Sequence, residues 1–179
     1  MATALIVIDV QQGLCEGEYA GVGWRAMIDR INEVSTKARA AGVPVIFVQH
    51  ESSTDFLEHG SARWQLAPDL VTQDTDLRIR KTTPDSFQGT ELTALLQARG
   101  VTSLVICGMQ TEYCVDTTTR RALALGYPVT LVADGHTTTG NAALSAEQIV
   151  RHHNLTLSSI SSFGPRVLPI PAGDISFRP

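Results

Sequence analysis

The stretch VICGMQTEYCVDTTTRR, residues 105–121, decides how the chain is read. Its start is a run of apolar residues ending at Gly108, as in a strand buried on both faces. A tight connection follows, and then a helix whose first turn holds Cys114 and which closes near Gly126. A thiol at the start of a helix faces the positive end of the macrodipole and unpaired backbone N–H groups. Both favour the thiolate, the reactive form of cysteine. The rest of the chain must then supply a base, a cation and a pocket.

Upstream, ALIVI at residues 4–8 is a second continuous apolar run, with Asp9 at its end. Residues 10–24 read as a glycine-broken loop. Residues 25–41 read as a helix that puts Ile31, Val34, Ala38 and Ala41 on one face, with Gly42 as its stop. VPVIFVQ at 43–49 is another strand. Residues 50–75 show no clean period. LRIRK at 77–81 is a short strand ending on Lys81. Thr90 caps a helix over 91–99, with Leu92, Leu95 and Leu96 inward. SLVIC at 103–107 then leads into the opening stretch. Downstream, PVTLVA at 128–133 is the fifth strand. Ser145 and Gln148 form a capping box for a helix to about His153, whose His152 and His153 meet its C-terminal dipole. LTLSSI at 155–160 reads as the sixth strand. The tail beyond Pro165 reads as extended, lying on the surface or on a partner subunit.

Strands alternating with helices predict a three-layer, doubly wound α/β fold of six mainly parallel strands in the order 3-2-1-4-5-6. Residues 1–179 form a single domain, with 166–179 as an extended tail. Ligands sit where the strand order reverses, between strands 1 and 4. Asp9, Cys114 and Lys81 would therefore converge on one edge of the sheet. The 179 residues are 43% hydrophobic and 18% charged, with net charge −4, as in a globular protein without a nucleic-acid face. No apolar run approaches the roughly 20 residues of a membrane span. Three cysteines without framework spacing point to reduced thiols and a cytoplasmic location.

Taken singly, Asp9 reads as a loop carboxylate, Lys81 as a solvated strand end and Cys114 as an inert thiol. Cys107, inside a strand, does read as inert, and Cys15 as incidental. The topology argues against all three bland readings holding together. A thiolate attacks a carbonyl carbon to form an acyl-enzyme. A carboxylate takes the thiol proton and returns it to the leaving amine. A lysine near both favours their charged forms. Backbone N–H donors on the oxyanion are worth about 3 kcal/mol each.

IDVQQG at 8–13, KTTPDSFQGTEL at 81–92, CGMQTEYCV at 107–115 and LSAEQIVRHHN at 144–154 resemble the signature regions of the isochorismatase-like cysteine hydrolases. The resemblance implies an Asp9–Lys81–Cys114 triad. It also implies a cis peptide at Met109–Gln110, with the N–H groups of Gln110 and Cys114 as the oxyanion hole. Nicotinamidases of this superfamily bind a metal through an Asp–x–His and a further His. Here the matching stretch is VQHESSTDFLEHG, with His50 and His59 but no Asp in place, so no metal and no cofactor are expected. A small-molecule substrate and a homo-oligomer, dimer or tetramer, are expected, with Val167, Leu168 and Ile170 of the tail at a subunit contact. Neither a nucleic acid nor a membrane is an expected partner.

Candidate pocket walls are Leu14, Tyr19, Trp24, His50, Phe56, Trp64, Phe87 and Tyr113; His59 reads as exposed. The sequence thus points to a cysteine hydrolase of a small amide. Isochorismatase-type vinyl-ether hydrolysis, in which the thiol is dispensable, and a non-catalytic α/β binding module are the alternatives. Other patterns fail on context. Cys114 to Arg120 has the spacing of a phosphatase loop but no glycines, and Asp116 would repel the dianion. GVGWRA at 21–26 does not follow a strand directly. Cys107 and Cys114 lack zinc-site spacing.

Overall fold

The structure, a computed structural model, describes residues 2–53 and 56–177. Its elements are β1 (Thr3–Ile8), α1 (Gln12–Cys15), α2 (Trp24–Ala40), β2 (Val45–His50), β3 (Leu77–Lys81), α3 (Leu92–Ala98), β4 (Ser103–Met109), α4 (Asp116–Ala124), β5 (Val129–Thr137), α5 (Ala146–Ser159) and β6 (Val167–Ile170). The sheet runs β3-β2-β1-β4-β5-β6, and every pairing is parallel. β1 lies between β2 and β4, with Leu5 opposite Val45 on one side and Val105 on the other.

Alternation along β1 builds two cores. Ala4, Ile6 and Ile8 face Leu92 and Leu96 of α3, Ala122 and Leu123 of α4 and Leu157 of α5. Leu5 and Val7 face Met27, Ile28, Ile31, Val34 and Ala38 of α2. A buried Leu or Ile contributes about 1.5–3 kcal/mol, so helices on both faces hold every inner strand. Gly42 ends α2 with φ 69° and donates to Arg39 O at 3.0 Å. Among the described residues no helix is long and apolar enough to cross a membrane.

The C-terminal third departs from expectation. Residues 155–160 are not a strand; they continue α5 to Ser159. A strand would put Leu155 and Leu157 on one face. On the helix, Ile149, His153 and Leu157 line up at i, i+4, i+8, so Leu157 is buried while Leu155 is 63% exposed. Two-residue alternation and a helical face coincide here, and packing chose the helix. The Ser145–Gln148 capping box forms as expected. His152 and His153 are mid-helix, away from the C-terminal dipole, and His153 Nδ1 lies 2.8 Å from Ile149 O.

The sixth strand comes instead from the tail. Val167 is buried in the chain's own core, Ile170 is half-buried, and Leu168 is exposed. Lys37 Nζ donates to Ala172 O and Gly173 O at 2.9 and 3.0 Å, and Ala172 N–H donates to Asp134 Oδ1 at 2.8 Å. The tail is thus tied to the chain's own sheet and helices. Residues 10–24 are not a plain loop, since they contain α1 and a 3₁₀ turn at Gly17–Tyr19. β5 also runs past residue 133 to Thr137. The N-cap of α3 is Glu91, although the Thr90 hydroxyl still accepts from Leu92 N–H at 3.2 Å.

Candidate active site

Three strand ends carry the site. At the end of β1, Asp9 adopts φ 50°, a left-handed conformation that costs a residue with a Cβ about 1 kcal/mol or more. Asp tolerates it better than most. Its N–H donates to Val48 O at 2.9 Å, which fixes the turn against β2. At the end of β4, Gly108 has φ 119°, and a Cβ there would collide with Ile8 O. Glycine is required for this close approach. The Met109–Gln110 peptide that follows is cis.

Cys114 does not sit in the first turn of an α-helix. It lies in a π-helical turn, Thr111–Val115, that precedes α4, with Val115 N–H donating to Gln110 O at 3.3 Å. Turns of this kind often mark functional sites.

Lys81, at the end of β3, reaches the centre of the cluster with its side chain fully buried. Its Nζ lies 2.7 Å from Asp9 Oδ2, 3.1 Å from Cys114 Sγ, 3.2 Å from His50 Nδ1 and 3.2 Å from Thr83 O. Burial alone would lower the Lys81 pKa, but Asp9 and the Cys114 sulfur outweigh it and hold it above the ordinary value. Burial lowers that of His50, helped by the Lys81 charge. A neutral His50 can accept from Lys81 through Nδ1.

The sulfur differs from expectation. Burial, reinforced by the Asp9 carboxylate, pushes the Cys114 thiol up to about 12 against the pull of Lys81. Desolvation and a like charge thus favour the neutral thiol, and the one cation opposes them. The other Asp9 oxygen, Oδ1, is buried and has no hydrogen-bond partner among the described residues.

Asp9, His50 and Cys114 bring donor atoms within 4.8 Å of one another, close enough to share a metal. The Lys81 ammonium contacts all three residues and puts a cation in the same cluster.

Gln11 had no role in the sequence reading, though it lies within IDVQQG. Its amide nitrogen donates to His50 O and Trp64 O at 2.9 and 2.8 Å, and its oxygen accepts His50 N–H at 2.9 Å. It clasps the ends of β1 and β2 to the 51–76 segment. The Thr83 carbonyl on Lys81 was also missed, since backbone acceptors leave no mark in side-chain identity.

The expected pocket walls divide. His50 is in the cluster. Tyr19 is exposed, and its ring meets Phe56 at 4.6 Å; its carbonyl accepts from Gln110 Nε2 at 3.5 Å. Tyr113 is exposed beside Cys114 in the same turn. Trp64 is half-buried with His59 edge-on at 4.7 Å, and its Nε1 is buried without a partner among the described residues. Leu14 and Trp24 pack instead against the α2-side core. Phe87 is not a pocket wall: it is buried in the opposite core and stacks on Tyr127 at 6.3 Å. A core aromatic and a pocket aromatic look alike in sequence.

Residues 3–158 match the model of the isochorismatase domain. A streptothricin hydrolase of Streptomyces noursei is 36% identical over 75% of the chain, which spans only 49% of that relative's length. The uncharacterized isochorismatase family protein YecD of Escherichia coli O157:H7 is 33% identical over 92% of the chain and 89% of its own. The crystal structure of an isochorismatase family protein superposes with a TM-score of 0.87 at 37% identity, covering 94% of this chain and 98% of the other. Fold and sequence agree, and the chain belongs to the isochorismatase family, a family of hydrolases.

Proposed function

We propose that this protein hydrolyses a C–N bond of a small amide through a thioester on Cys114. The observation that carries this reading is the buried Lys81 ammonium, which bridges Asp9 Oδ2 at 2.7 Å and Cys114 Sγ at 3.1 Å. Lys81 engages Oδ2 of Asp9, whose carboxylate lies close to the thiol, and Oδ1 has no hydrogen-bond partner among the described residues.

Burial and Asp9 favour the protonated thiol, so its proton leaves as the sulfur attacks. Sγ forms a bond to the amide carbon while the S–H proton passes to Asp9. Lys81 compensates the charge that develops on sulfur. The N–H groups of Gln110 and Cys114 donate to the carbonyl oxygen, each worth about 3 kcal/mol when well aimed. Asp9 then gives its proton to the departing amine as the C–N bond breaks. Water attacks the thioester and gives a proton to Asp9. The C–S bond breaks, the proton returns to sulfur, and the carboxylic acid leaves. Atoms and charges balance without a cofactor. The relative named streptothricin hydrolase is a hydrolase by name, which accords with this reading.

The test is ammonia or amine release over a panel of small amides and ureides, alongside a vinyl-ether substrate, for wild type and Cys114→Ala. The proposal requires amide turnover that vanishes in Cys114→Ala. Vinyl-ether cleavage that survives the substitution, without amide turnover, overturns it.

A further inference from the structure

The end of β5 holds a buried histidine that the proposed chemistry does not use. His136 lies beside Gly108 in the β4–β5 register, just before the turn that carries Cys114. Its Nδ1 is 2.9 Å from Thr111 Oγ1, and its Nε2 is 3.1 Å from Asn154 Oδ1. Asn154 Nδ2 donates to Ala133 O at 2.9 Å. A carbonyl can only accept, so the Asn154 amide is fixed with its oxygen toward the ring. The ring must then carry its proton on Nε2, which leaves Nδ1 as the acceptor for the Thr111 hydroxyl. Thr111 opens the π-helical turn, and its own carbonyl accepts the Asp116 N–H that closes it.

We infer that His136 is a positioning residue: locked in one tautomer by Asn154, it holds the Cys114 turn in place through the Thr111 hydroxyl. The chain of bonds runs from α5 through the end of β5 to the first residue of the turn. It controls where Sγ stands relative to Asp9 and Lys81, which approach from β1 and β3 on the other side. Three buried or half-buried polar groups are satisfied in one direction only, so the arrangement has a single hydrogen-bond polarity. Burial keeps the ring neutral by lowering its pKa to about 4, so the acceptor at Nδ1 persists at ordinary pH. Misplacing a nucleophile by about 1 Å can cost on the order of 100-fold in rate.

This inference rests on Cys114 being the nucleophile, and the experiment separates the two. Thr111→Val keeps the shape and removes the donor; Thr111→Ser keeps the donor. Thr111→Val is expected to lower kcat roughly tenfold or more with KM within about twofold, and Thr111→Ser to restore kcat to within about threefold. Alkylation of Cys114 by iodoacetamide, which needs no substrate, is expected to follow the same order. Nitrogen-15 NMR should show the Nε2–H tautomer of His136. Equal rates in wild type and Thr111→Val, equal losses in both variants, or an Nδ1–H ring overturn the inference. Absence of amide turnover in wild type sinks the hydrolase reading instead, and the alkylation and NMR results still decide the role of His136.

Discussion

Cys107 and Cys114 stand at the two ends of one short stretch, in surroundings that differ in kind. Cys107 lies mid-strand in β4 with no exposed surface, and its Sγ meets the Ile6 carbonyl at 3.7 Å. Burial alone raises its pKa. Cys114, in the turn beyond β4, is also raised, to about 12. The direction of the shift therefore does not distinguish them. The difference is that Cys114 touches Lys81 and lies close to the Asp9 carboxylate. What sets Cys114 apart is its place in a coupled unit of acid, cation and thiol.

Removing the base should break the comparison most. Asp9→Asn keeps the volume and removes the acceptor, and amide turnover should fall about 10²–10⁴-fold in steady-state kinetics. Lys81→Met should cost a similar factor. It should also destabilise the fold by about 3–5 kcal/mol, read by urea unfolding, because Asp9 stays buried without its partner.

Gly108→Ala probes the hinge between the two cysteines. The collision with Ile8 and the positive φ should together cost on the order of 3 kcal/mol, seen as a lowered Tm. An unchanged Tm would mean that the close approach of β4 to β1 is not needed.

A pH effect of similar size follows from His136, which titrates near 4 in the folded chain and near 6.5 once unfolded. Between those values the unfolded chain binds more protons. Stability should be full above pH 6.5 and fall toward pH 4 by on the order of 3 kcal/mol. His153 and Asp134 lie nearby with opposing influences on the ring. His136→Gln should flatten this part of the stability curve. The smallest effect belongs to Cys107→Ala: about 1 kcal/mol of stability, with turnover unchanged.

The sheet was legible because its inner strands are unambiguous. ALIVI, VIFV and SLVIC are apolar on both faces, and the α/β order rule then brought Asp9, Lys81 and Cys114 to one edge. The outer part was not. LTLSSI fits a strand and a helix alike, and its burial is settled by α5 against the sheet, a long-range fact. The true sixth strand, VLPI, holds a proline and is short, as edge strands are, so it reads as tail. The influences on the Cys114 thiol were only partly legible, because helix position is local, whereas desolvation and the Asp9 carboxylate come from the assembled fold. Residues 54 and 55, within the stretch compared with nicotinamidase metal ligands, lie outside the described residues.

The central claim is that Cys114, and not Cys107, becomes covalently acylated. Acid quenching during turnover of an active amide, followed by intact mass and peptide mapping, tests it directly. The account predicts a thioester adduct on the peptide bearing Cys114, absent in Cys114→Ala and undiminished in Cys107→Ala. Turnover without an adduct at Cys114, or an adduct on another residue, would contradict it.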